Sequence, residues 1–146
     1  MPSSFHENEV KSGLKQKLKL SAFIDGLISK YKKGVTSAEL TYIFCSDEFL
    51  LEMNQSYLDH DTFTDIITFD LSESKKAIEG EIYISVERVK ENAKIFKTTY
   101  QNELHRVIFH GVLHLCGFKD KKEKDQQIMR ENEDYCLEQY QKELEK

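Results

Sequence analysis

His110, His114 and Asp120 are the residues whose types and spacing point most directly to chemistry. Two histidines four apart on a helix lie on one face, about one turn apart, so both imidazoles can reach a single ion. Gly117 follows three residues after His114, and glycine ends a helix in the left-handed conformation without a Cβ penalty. The chain then turns back, and Asp120 falls three residues past the glycine. That order, H-x-x-x-H-x-x-G-x-x-ligand, is the spacing of metzincin-type sites. Two imidazoles and a carboxylate suit Zn²⁺, with Mn²⁺, Fe²⁺ and Ni²⁺ as alternatives. Three protein ligands leave a fourth position for water, as in a catalytic site. We expect one zinc per chain.

A zinc peptidase of the H-E-x-x-H kind carries a glutamate as general base directly after the first histidine. Here that position is Gly111, which argues against proteolysis unless a base comes from elsewhere in the fold. His105 lies about 140° round the helix from His110 and is excluded as a ligand. Glu103 shares the face of His110, either to orient a ligand or to pair with a surface charge. Cys116 lies far from the histidine face and reads as a small buried apolar residue.

These side chains need a scaffold. Apolar residues near helical spacing mark helices over 14–32, 86–96, 100–116 and 122–144. Ser46 and Asp47 are cap types ahead of a short helix reaching Tyr57. Leu40–Cys45 alternates in polarity, 65–71 is β-branched and aromatic, and 81–86 enters as a strand through Gly80. The expected class is α+β, a small mixed sheet with helices packed around it and the metal site at the end of a helix. With one proline and no linker or repeat, 1–146 reads as a single domain.

The metal segment, with His110, Gly111, Leu113, His114, Leu115 and Gly117 in register, resembles the H-G-x-L-H-L-x-G-Y-D-H pattern of the YbeY endoribonuclease and ribosomal-RNA maturation family. Upstream, Met53-Asn54-Gln55-Ser56-Tyr57 resembles L-N-x-x-Y, Thr64–Phe69 resembles T-D-V-L-S-F, and Gly80–Ser85 resembles G-D-I-x-I-S. The resemblance implies a small α+β domain with its metal at one end of a groove. It also implies metal-dependent cleavage of single-stranded RNA, in maturing the 3′ end of small-subunit (16S) ribosomal RNA and in ribosome quality control. The implied partners are ribosomal RNA and the small ribosomal subunit. The alternatives are an assembly factor with a mainly structural metal, or another zinc hydrolase.

On that resemblance Asn54 and Tyr57 are candidates for substrate binding, with Tyr57 stacking on a base. Asp65 and Glu81 are candidate catalytic groups, Asp65 as a proton acceptor. Three positions depart from the pattern: Asp120 replaces a histidine, Lys119 an aspartate and Leu58 an arginine. A carboxylate in place of an imidazole lowers the net charge of a zinc site by one and shifts its metal preference. Without an arginine at 58, phosphate contact falls to His60, Arg106 or Lys119, and Arg106 joins Asn54 and Tyr57 as a substrate-binding candidate.

Composition fits this picture. A net charge of −5 does not advertise a nucleic-acid binder, yet Lys11 to Lys33 carries seven lysines against one acid, Asp25. A solvated helix face is the plainer account of that run. Three cysteines without paired spacing argue for a reducing compartment. No leader or membrane segment is visible, so the expected location is cytoplasmic.

Overall fold

The computed structural model describes residues 3–58 and 62–146. The elements run β1 (Ser3–Glu7), α1 (Lys17–Tyr31), β2 (Ser37–Cys45), α2 (Asp47–Leu58), β3 (Ile66–Asp70), β4 (Ala77–Ser85), α3 (Val86–Ile95), α4 (Tyr100–Leu115) and α5 (Glu123–Leu144). The four strands form a mixed sheet in the order β1-β2-β4-β3. β1 and β4 both run parallel to β2, and β3 runs antiparallel to β4. The expected α+β class holds.

Two features were not expected. β1 is a strand although its segment is polar, because it pairs along β2 from Ser3 opposite Leu40 to Glu7 opposite Phe44. Gly80 lies inside β4 rather than at its mouth. A Cβ there would stand 2.7 Å from Leu115 Cδ1, so glycine lets the end of α4 settle onto the strand.

Alternation sorts the sheet into two faces. Leu40, Tyr42 and Phe44 of β2 and Ile82 and Ile84 of β4 are buried in the main core with Leu104, Ile108 and Val112 of α4. Tyr42 also donates its hydroxyl hydrogen to the Ile108 carbonyl at 3.1 Å, tying helix to sheet. The opposite face is covered more thinly by α2, whose Leu50 clusters with Cys45 and Ile67. Among the described residues no helix is long and apolar enough to cross a membrane.

α4 is the element that carries the histidines, and both its ends are fixed locally. Thr99 accepts a hydrogen bond from the Asn102 amide at 3.1 Å, capping the first turn. At the other end Gly117 takes φ +105°. The Gly117 amide donates to the His114 carbonyl and the Phe118 amide to the Leu113 carbonyl, both at 3.0 Å, which is the Schellman arrangement. Phe118 is thereby set edge-on against Tyr31, with centroids 5.3 Å apart, and the chain returns past the helix toward α5.

Candidate metal centre

The Schellman turn at Gly117 is what brings Asp120 back to His110. Asp120 Oδ2 stands 3.0 Å from His110 Nε2. His114, one turn along α4, is exposed. Its side chain makes no hydrogen bond or ion pair among the described residues, but it lines one cavity of about 330 Å³ with His110 and Asp120. The three candidate ligands thus share one hollow, although among the described residues no three His, Cys, Asp or Glu side chains already stand close enough to hold an ion.

The far side of His110 is also held. Its Nδ1 lies 2.6 Å from Glu133 Oε2, and Arg106 Nη1 donates to Glu133 Oε1 at 3.0 Å. Arg106 Nη2 also donates to Asp134 Oδ1 at 2.6 Å. The Glu133 side chain is 8% exposed, so α5 delivers a buried carboxylate behind the ring. Burial pulls the His110 pKa down, but Glu133, Asp120 and Asp65 outweigh it and leave the ring above its ordinary value. The imidazole sits where positive charge is favoured on both nitrogens. A divalent ion meets the same field on the Nε2 side, and Nδ1–H donating to a carboxylate is the usual support of a ligating histidine. Two donors on one tetrahedral zinc stand roughly 3.4 Å apart, so the His110–Asp120 pair needs only a small opening. Two imidazoles and a carboxylate on the wall of one cavity fit the donor chemistry of a divalent ion.

The remaining candidates are dispersed. Asn54 is buried, lines the cavity of the two histidines, and donates from Nδ2 to the Thr62 carbonyl at 2.8 Å. Asp65 lies in the adjoining cleft of about 480 Å³, together with Arg106, His110 and Asp120. Burial raises its pKa, and His110 and Arg88 pull it back. Arg106 is engaged by two carboxylates and offers no free fork to a phosphate. Tyr57 is 71% exposed and packs edge-on against Phe69 rather than lining either cavity. Glu81 is on the sheet face away from α4, where its Oε1 accepts from the Tyr83 hydroxyl at 3.2 Å. The structure therefore does not bring Glu81 to His110. His60 lies outside the described residues. Lys119 borders a further hollow with His114, Asp120, Lys121 and Lys122.

Other readings are sharpened. His105 packs against Tyr140 and Phe109, and burial lowers its pKa to about 4. Cys116 is half-buried rather than buried, and burial pushes its thiol up to about 11. Gly111 faces Ile82, whose Cδ1 would stand 3.0 Å from a Cβ at that position. A side chain at 111 would fit only if Ile82 and Ile66 gave by a few tenths of an ångström, so packing of α4 on the sheet favours glycine over the peptidase glutamate there. Glu133 was not anticipated. The signal was present, since Met129, Glu133, Cys136 and Tyr140 form the buried stripe of α5, and an acid in an apolar stripe calls for a partner.

The fold and site together define a small α+β domain with a histidine–carboxylate centre at the end of its central helix. The sequence model of the family described as Endoribonuclease YbeY matches residues 5–141. The chain is 48% identical to the endoribonuclease YbeY of Cytophaga hutchinsonii over 133 residues, covering 91% of this chain and 92% of that one. It is 43% identical to the protein of the same name from Parabacteroides distasonis, covering 94% of each. The solution structure of TM1509 from Thermotoga maritima superimposes with a TM-score of 0.63 at 28% identity, covering 98% of this chain and 91% of that one. The chain belongs to the endoribonuclease YbeY family.

Proposed function

We propose that this chain is a metal-dependent endoribonuclease that cuts single-stranded RNA during ribosomal-RNA maturation, at the 3′ end of the small-subunit RNA, with zinc held by His110, His114 and Asp120. The observation that carries the reading is the approach of Asp120 Oδ2 to His110 Nε2 in a cavity that His114 also lines. A bound divalent ion polarises a phosphoryl oxygen and lowers the pKa of water.

The chain's own residues divide the remaining work. Glu133, pinned by Arg106, fixes the ring plane and tautomer of His110. Asp65, whose pKa is raised by burial in the cleft wall, is placed to take up or return a proton. Arg106 serves Glu133 rather than the substrate. Lys119, Lys121 and Lys122 border the hollow next to His114 and Asp120, and supply a cationic rim for the RNA backbone.

The test compares purified wild type with His114→Ala. Wild type should carry about one zinc per chain and cut single-stranded RNA, and the variant should lose both properties. Equal cleavage by the two would make the activity a contaminant. Accumulation of ribosomal-RNA precursors on depletion, if rescued by the variant, would instead favour an assembly factor with a structural metal.

A further inference from the structure

The larger cleft holds a group that the metal reading does not use. Glu103 lines it, 3% exposed, and its carboxylate makes no hydrogen bond among the described residues. Burial raises its pKa, with Arg106 and Arg130 pulling it back. A carboxylate in the cleft wall whose oxygens take no protein hydrogen bond is free to accept from a ligand that carries hydrogen-bond donors.

The rest of the wall limits what that ligand is. At the mouth, Phe96 is 54% exposed and carries the Arg130 guanidinium 5.7 Å from its ring centroid. Ring and guanidinium planes are surfaces on which bases stack. Asn92 adds a side-chain amide beside Asp65, its Nδ2 3.5 Å from Asp65 Oδ2. The cleft is a poor phosphate site. Asp65, Glu103, Asp120 and Glu133 all line it, and its inner arginine, Arg106, is taken by Glu133 and Asp134. What fits is a flat, uncharged, donor-bearing group attached to a phosphate that stays outside. The volume of about 480 Å³ is within the usual range for a small-molecule pocket. His110 and Asp120 line both this cleft and the cavity of the histidine pair, so the two are contiguous.

We propose that this cleft is the subsite for one unstacked nucleobase of the RNA, with guanine the base it fits best, Glu103 reading the base edge and Phe96 with Arg130 stacking on its face. Guanine alone among the four bases offers two adjacent N–H donors on its Watson–Crick edge, which one carboxylate accepts side by side. Uracil and cytosine offer a single donor group there, and adenine sets an acceptor beside its amine. The proposal rests on the reading of the chain as an RNA-cutting enzyme, but it makes a separate claim about binding.

The test titrates the pentaribonucleotides UUGUU, UUAUU and UUUUU into wild type, Glu103→Gln and Phe96→Ala, read by fluorescence anisotropy, with cleavage of a longer single-stranded RNA followed in parallel. Wild type should prefer UUGUU by about tenfold. Glu103→Gln should bring the three within about twofold of one another, and Phe96→Ala, at an exposed position, should weaken all three through lost stacking. Equal affinities in wild type, or a guanosine preference that survives Glu103→Gln, would overturn the subsite even if the long RNA is cut. Guanosine-selective binding without any cleavage would keep the subsite and sink the nuclease reading. Arginine amide occupying the cleft while the three RNAs bind alike would assign it to a cationic protein side chain and overturn the proposal.

Discussion

Glu133 Oε2 stands 2.6 Å from His110 Nδ1, while the same carboxylate's Oε1 accepts from Arg106 Nη1 at 3.0 Å. One buried side chain of α5 therefore fixes two residues of α4, one of them a proposed metal ligand. Glu133→Gln keeps the shape but loses the charge that supports the imidazole. Zinc affinity, measured by competition with a chromophoric chelator, should fall about 10- to 100-fold. Glu133→Ala should also destabilise the fold by about 3 kcal/mol or more, because Arg106 keeps only its contact with the exposed Asp134. Unchanged zinc affinity in Glu133→Gln would reduce the contact to helix packing.

Gly111 separates this centre from a zinc peptidase for a steric reason. It is buried against Ile82 and Ile66, with room for no Cβ unless they yield. Gly111→Glu, which writes H-E-x-x-H into the chain, should not create a peptidase. It should push a carboxylate into the helix–sheet interface and cost about 3 kcal/mol or more through overpacking and an unpartnered charge. Denaturant unfolding gives the loss directly, and a stable variant that hydrolyses peptides would refute the packing argument.

The helices were legible chiefly from their apolar periods, since α1 and α5 start at Gln16 and Lys122 without a side-chain cap. Ser46, read as a cap type, accepts from the Phe49 amide at the start of α2, and Gly117 closes α4. β1 was not legible, because Ser3–Glu7 holds one apolar residue, Phe5, and owes its extended form to a partner strand more than thirty residues away. Within the site, His110, His114 and Asp120 could be read because one helix turn and one glycine turn bring them together locally. Glu133 showed in the sequence only as an acid in the apolar stripe of α5, with nothing to name its partner, and the Phe96–Arg130 pair did not show at all, since helix packing brings both to the cleft from other elements.

His105 carries an acid sensitivity that is independent of the metal. Its ring meets Tyr140 edge-on, with centroids 5.0 Å apart, and burial lowers its pKa to about 4. In the unfolded chain the value returns to about 6.5. Between those values the unfolded state binds a proton that the folded state does not, so this contribution falls as pH drops through that window. Allowing for partial solvent access, His105 should cost the fold about 1–2 kcal/mol between pH 7 and pH 5. Urea unfolding of His105→Phe and wild type at both pH values isolates the effect. The variant should lose less stability on acidification, and identical losses would locate the acid sensitivity elsewhere.

Asp120 is the residue on which the identity of the centre turns. It lies in the short connection between α4 and α5, its side chain 38% exposed, so replacing it leaves the core untouched. Asp120→Ala leaves two imidazoles, and removal of a direct ligand should exceed the effect of removing a supporting group, a loss of at least about 100-fold in zinc affinity. Asp120→His restores a third imidazole and raises the net charge of a zinc-loaded site from +1 to +2. That variant should bind zinc within about tenfold of wild type. Titration of both variants against the same chelator decides the matter. If Asp120→Ala binds as tightly as wild type, the carboxylate is only a hydrogen-bond acceptor for His110. If Asp120→His binds well and Asp120→Ala does not, position 120 is a ligand position, and the Schellman turn at Gly117 is the device that presents it.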